Sequence, residues 1–188
     1  AETSHSGEIW GAQRRMLDLR PRLAALGIRS VLACPPGSAL WSEWSSTDSP
    51  IVPYVAAGPL GLRSSSGGRP GPASLARQVR SIAANARTVS SLIRNLGANV
   101  VQSHDLNANL EVVIAARRTK CAALVDLHDI VAPGAGRWIL SRSSRMASVT
   151  LANSRATAAT VTSGRVEVVN PGVDTDRFFP GAARPEVR

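Results

Sequence analysis

Residues 100–129 read VVQSHDLNANLEVVIAARRTKCAALVDLHD, and this stretch decides the fold. It opens on the short apolar run Val100-Val101, which ends at Ser103-His104-Asp105. A helical stretch follows at 107–118, and a second apolar run, Ala122 to Leu127, ends at His128-Asp129. Two short, apolar strands joined by a helix form one unit of a parallel sheet that is buried on both faces. Open sheets of this kind bind ligands at the carboxyl ends of their strands, and both runs end there on polar residues.

The alternation extends in both directions. Downstream, a helix at 137–146 precedes the strand Val149 to Ala152, and a helix capped by Ser154 leads to a last strand, Val166 to Val169. That strand ends at Asn170-Pro171-Gly172-Val173-Asp174. Upstream, Leu75, Val79, Ile82, Ala86, Val89, Ile93 and Leu96 are spaced by fours and threes. This spacing predicts a helix with one continuous apolar face, capped by Ser74 and stopped at Gly97. Arg77, Arg80, Arg87 and Arg94 project roughly opposite that face at ~100° per residue. Residues 58–72, rich in Gly, Pro and Ser, read as a flexible loop. Residues 51–56 read as a strand that Pro53 moves towards an edge, and Ile28 to Cys34 as a buried strand closed by Pro35-Pro36-Gly37. Residues 8–26 carry Ile9, Met16, Leu19, Leu23 and Leu26 at helical spacing, with Pro21 expected to kink or split the helix. The predicted class is α/β, a Rossmann-like parallel sheet with helices on both faces.

The 188 residues, 44% apolar with a mean hydropathy of −0.01, suit one domain with a real core and exclude a disordered chain. No run approaches the ~20 apolar residues of a spanning helix. Lys plus Arg number 22 against 13 for Asp plus Glu, a net charge of +9, and Lys120 is the only lysine. Such an excess points to an anionic partner: nucleic acid, acidic lipid or a phosphorylated ligand. Arginine suits bidentate phosphate recognition; a base-composition bias that enriches Ala and Arg together is the other explanation. Four Trp, two Phe and one Tyr provide no aromatic-plus-basic array, so nucleic acid is not an expected partner. Cys34 and Cys121 are isolated and read as small buried thiols of a reducing compartment. The chain begins at Ala1 without Met or a charged-then-apolar leader.

Several chemistries fail on spacing. Gly7 and Gly11 are spaced G-x-x-x-G and Ala33-Cys34-Pro35 offers no acid, so a dehydrogenase is not expected. No Walker-type phosphate loop exists, and Ser154 lacks the flanking glycines of a nucleophile elbow. Gly7 and Gly11 precede or open a helix, where free N–H groups can cradle a phosphate; a tight turn is the competing reading. The pairs His104-Asp105 and His128-Asp129 could share a divalent ion, or each Asp could cap the helix that follows. The four arginines could meet anionic lipid headgroups or simply face water.

Taken together, the motifs resemble the N-terminal domain of GT-B-fold retaining glycosyltransferases, family 4 (glycosyl transferases group 1). Ser6-Gly7-Glu8-Ile9-Trp10-Gly11-Ala12-Gln13-Arg14 is similar to the family's glycine-rich loop and helix. Leu23 to Ile28, Val100 to Asp105, Val125 to Asp129 and Val149 to Ser154 follow in the family's order. Val168 to Phe178 resembles its N-G-V-D-x-x-x-F junction. Two departures are visible: Glu8-Ile9-Trp10 separates the glycines, and Ser148 stands where the family often has Asp.

The resemblance implies transfer of a sugar from a nucleotide-sugar donor to an acceptor with retention, and no cofactor or metal. It matches His128 to the histidine at the reaction centre, and Gly7 and Gly11 to the loop approaching the donor phosphates. It puts His104, Asp105 and Asp129 on the acceptor side, and Asn170, Gly172 and Asp174 at the domain junction. Arg77, Arg80, Arg87 and Arg94 lie where relatives with lipid acceptors touch the membrane. The implied organisation is an acceptor-side domain over 1–180, lacking its first strand, with 181–188 opening a linker to an absent donor-binding domain. The fragment alone is then inactive, and the protein cytoplasmic or peripheral on the inner membrane face. The alternatives are a metal-dependent hydrolase using the His-Asp pairs and a non-catalytic anionic-membrane or polyanion-binding module.

Overall fold

The computed structural model describes residues 1–4, 7–58, 72–106, 108–172 and 175. Its strands are β1 (Glu2–Thr3), β2 (Leu32–Cys34), β3 (Ile51–Pro53), β4 (Val100–Ser103), β5 (Ala122–Leu127), β6 (Val149–Ala152) and β7 (Val166–Val168). They form one sheet in the order β3-β2-β1-β4-β5-β6-β7, every neighbouring pair parallel. The helices are α1 (Gly11–Ala25), α2 (Ala39–Ser45), α3 (Pro72–Leu96), α4 (Asn109–Thr119), α5 (Ala135–Met146) and α6 (Arg155–Ala158). Strand order reverses between β1 and β4, the switch point at which such sheets open a ligand crevice.

β1 corrects the expectation of a missing first strand. Glu2 pairs with Leu32 and Gln102, and Thr3 with Ala33 and Ser103, so the centre of the sheet is occupied. The N-terminal ammonium extends the line and donates to the Val100 carbonyl at 2.6 Å. Ala1-Glu2-Thr3-Ser4 holds no apolar run, which is why hydrophobic patterning passes over it.

Side-chain alternation divides the sheet between two cores. Ala33, Val101, Ala123, Val125 and Leu127 face α3, α4 and α5, packing with Val89, Ile93, Val112, Val113 and Leu140. Leu32 and Cys34 face the other way, onto Met16, Leu40 and Trp44 of α1 and α2. Both cysteines are free thiols. α2 has no counterpart in the sequence reading, because seven residues after Pro35-Pro36-Gly37 look like the rest of a turn. Ser38 caps it by accepting from the Trp41 N–H at 3.2 Å, and the Trp44 indole donates to the Pro50 carbonyl at 3.1 Å.

Two helices depart from expectation. α1 runs unbroken through Pro21. It ends in a glycine motif, with Gly27 at φ +76° and the Ile28 N–H reaching back to Leu23 O at 2.9 Å. α3 starts at Pro72 rather than after a Ser74 cap, as suits a first-turn proline. Its 25 residues span about 38 Å, and the expected apolar stripe is buried only over its later part. Ala86, Val89 and Ile93 are in the core, whereas Leu75 and Val79 are 54% and 57% exposed. Arg77, Arg80, Arg87 and Arg94 are all exposed. The predicted loop 58–72, apart from Gly58 and the backbone of Pro72, and the linker 181–188 lie outside the described residues.

Candidate functional site

The period of two along a strand puts Gln102 and His104 on one face of β4 and its extension, and Asp126 and His128 on the same face of β5. It is the face covered by α1, and here the parallel sheet is polar rather than apolar. Asp126 sits between the histidines, its Oδ2 3.2 Å from His104 Nδ1 and 3.2 Å from His128 Nε2. Gln102 donates to the same oxygen at 3.1 Å, and the Arg15 guanidinium of α1 stands 3.8 Å from Oδ1. On its far side, His104 Nε2 is 3.4 Å from Glu2 Oε2 of β1. The two imidazole rings stack with centroids 6.4 Å apart.

The imidazole contacts are off-line, so they act chiefly as charge contacts rather than straight hydrogen bonds. Burial opposes a charge on His104, but Asp126 and Glu2 outweigh it and carry its pKa up to about 9. Burial alone would raise the Asp126 carboxyl; His104 and His128 outweigh it and hold it far below the usual carboxylate range. Of the histidines and the aspartate, His128 reaches furthest towards the surface: its side chain is 17% exposed, against 4% for His104 and 5% for Asp126, while Arg15 above them is 21% exposed.

His104 Nδ1, Asp126 Oδ2 and His128 Nε2 are close enough to one another to share a cation. Gln102 donates to Oδ2 while Oδ1 has no hydrogen-bond partner among the described residues, and a metal would have to displace a proton from a charged His104 and sit near the Arg15 guanidinium. The His-Asp pairs read from the sequence do not assemble as pairs. Asp105 accepts from the Ser4 hydroxyl at 3.1 Å, and Asp129 is exposed beyond the strand end. Asp126 joins the histidines instead. Apolar neighbours on either side mask it in the sequence, although its position two residues before His128 puts both side chains on one face.

The remaining predicted residues spread over the rim. His104, expected on the acceptor side, lies beneath the surface, its side chain 4% exposed. His128 is anchored through its carbonyl, which accepts from Asn153 Nδ2 at 2.9 Å. Gly7 has a packing reason, since an added Cβ would lie 2.4 Å from the Ser38 Cβ. Gly11 opens α1 with nothing within 4 Å of such a Cβ. Asn170 and Gly172 are exposed beyond β7, and Asp174 lies outside the described residues. Ser154 caps α6, accepting from the Thr157 N–H at 3.1 Å. A cavity of about 540 Å³ opens at the opposite, amino ends of the strands, lined by Ala1, Ile28, Leu96 and Val100, with Glu2 and Gln102 of the cluster also in its wall.

A seven-stranded parallel sheet of this order with helices on both faces is the α/β, Rossmann-like architecture of the N-terminal half of a GT-B fold. The chain belongs to Glycosyltransferase Family 4, whose model matches residues 9–177. Solved structures share the fold at low identity. The glycosyltransferase from Rickettsia africae is 17% identical with a TM-score of 0.66 over 98% of this chain and 46% of its own. Anabaena Alr3699/HepE, solved with UDP and glucose, is 16% identical with a TM-score of 0.65 over 93% of this chain and 44% of its own. Acinetobacter baumannii MurG is 16% identical with a TM-score of 0.60 over 92% and 46%. The chain thus spans less than half the length of these structures. No curated protein sequence matches it. No helix among the described residues is long and apolar enough to cross a membrane.

Proposed function

We propose that this chain is the acceptor-side part of a retaining glycosyltransferase that takes a sugar from a nucleotide-sugar donor held largely by a second domain. The observation carrying the reading is His128. It is the most exposed of the three residues His104, Asp126 and His128, at the carboxyl end of β5 and next to the switch point. There it would contact the transferred sugar and stabilise charge developing as the donor bond breaks. Gly7 and Gly11 would bring backbone N–H groups towards the donor phosphates; Asp105 and Asp129 would line the acceptor side; Asn170, Gly172 and Asp174 would serve as the hinge. Catalysis would need no metal or other cofactor. The UDP and UDP-glucose bound by HepE support a nucleotide-sugar donor.

The deciding measurement is transfer by the protein with its donor-binding domain present. His128→Ala should lower turnover roughly 10²- to 10³-fold, the scale of losing one group that stabilises transition-state charge, with an unchanged thermal midpoint. Wild-type turnover in that variant would remove the role given to His128. A peripheral position on the inner membrane face is part of the proposal, supported by the exposed Arg77, Arg80, Arg87 and Arg94 on α3.

A further inference from the structure

We propose that Asp126 is the positioning residue for His128, fixing its ring as the Nε2–H tautomer so that Nδ1 is the nitrogen presented to the cleft, and that His104 and Glu2 hold Asp126 in place. This deepens the transfer reading and rests on it for the use made of His128.

The argument begins with the His128 ring. A neutral imidazole has one N–H and one lone pair, and the partner of one nitrogen decides which is which. His128 Nε2 is buried and 3.2 Å from an ionised carboxylate oxygen. A lone pair there would put two electron-rich atoms face to face; a proton turns the same contact into attraction. Nε2 therefore carries the hydrogen, and in the neutral ring Nδ1 is the acceptor. The exposure of His128 belongs to the rest of its ring, because Nε2 has none.

Asp126 can impose this only if it stays charged and still. Its backbone is paired opposite Leu151 of β6, in a strand also paired along β4. Its side chain meets Gln102 and His104 from the β4 side, Arg15 from α1 and His128 from β5's own end. His104 has a carboxylate on each nitrogen, Asp126 on Nδ1 and Glu2 on Nε2, so both nitrogens carry protons and the ring is an imidazolium. Glu2, His104, Asp126 and Arg15 then balance in charge, which keeps a buried ionised aspartate stable. Asp105, the other nearby acid, is turned to Ser4. The cluster spans β1, β4, β5 and α1, and His128 is the more exposed of its two histidines.

Two-bond ¹H–¹⁵N correlation spectra of the ¹⁵N-histidine-labelled chain at pH 8 test this, with rings assigned through His104→Gln and His128→Gln. The expected spectrum has His128 as the Nε2–H tautomer alone and His104 protonated on both nitrogens. Asp126→Leu, or Asp126→Asn if the leucine variant does not fold, should bring in the Nδ1–H form of His128 as it does in an unconstrained ring. Equimolar zinc should leave the wild-type spectrum unchanged. A wild-type His128 protonated on Nδ1, a metal-shifted Nε2, or a folded Asp126 variant with the same single tautomer would each overturn the proposal. Those outcomes leave the transfer reading standing, whereas full turnover in His128→Ala removes that reading and leaves the tautomer lock intact.

Discussion

Asp126 and His104 respond to pH in opposite senses. His104 is raised to about 9 from 6.5, so its contribution is complete below 6.5 and is lost as pH rises through about 9. Asp126 is lowered from 3.8, so its contribution is present above that value and fades as pH falls below it. The cluster is therefore fullest between about pH 4 and 6.5. The N-terminal ammonium, lowered from 8.0 chiefly by burial, tilts stability the other way below pH 8, so the His104 limb is read above it. Thermal midpoints should fall from pH 8 to pH 10, and His104→Gln should flatten that limb. The glycines give a second comparison. Gly7→Ala should cost roughly 1–3 kcal/mol through the Ser38 clash, about 2–4 °C of midpoint per kcal/mol. Gly11→Ala should be tolerated, so a loss of turnover in a fully stable Gly11→Ala protein would support phosphate contact there. His128 at a strand end was legible in the sequence; Glu2 and Arg15 were not, because their contacts cross the sheet and a covering helix.

Secondary elements were legible where periodicity is long. β5, α3 and α4 stand out because continuous apolar runs and helical stripes persist over several turns, whereas β1 and α2 are too short to carry a pattern. The covered extent of α3 was not legible either, since Leu75 and Ile93 look alike in sequence and only packing separates them. One tertiary tie deserves a test at this scale. Glu111 of α4 is 1% exposed, accepting from the Tyr54 hydroxyl at 2.5 Å and from Asn85 Nδ2 of α3 at 2.8 Å. Asn85 Oδ1 in turn accepts from the Ala57 N–H at 2.7 Å. The knot fastens α3 and α4 to the chain leaving β3, and burial with the neighbouring carboxylate raises the Tyr54 hydroxyl well above its ordinary range. Tyr54→Phe removes a donor from a buried acid and should cost roughly 1–3 kcal/mol in denaturant unfolding. An unchanged midpoint would show that Glu111 does not depend on Tyr54.

For the whole molecule, the net charge of +9 is tested at a surface. Binding to phosphatidylglycerol vesicles should weaken by ~1 kcal/mol for each of Arg77, Arg80, Arg87 and Arg94 changed to Gln, and should fall with added salt. Undiminished binding in the fourfold variant would move any membrane contact elsewhere. The central position of β1 also has a temporal consequence. Ala1 and Val100, bonded to one another, stand 99 positions apart. A chain emerging from its amino end can lay Glu2–Thr3 only against β2 until β4 has followed some seventy residues of later sequence, about 3–14 s at ordinary synthesis rates. Glu2 cannot meet His104 before then, so the middle of the sheet and the charge cluster behind His128 are completed in the same late event.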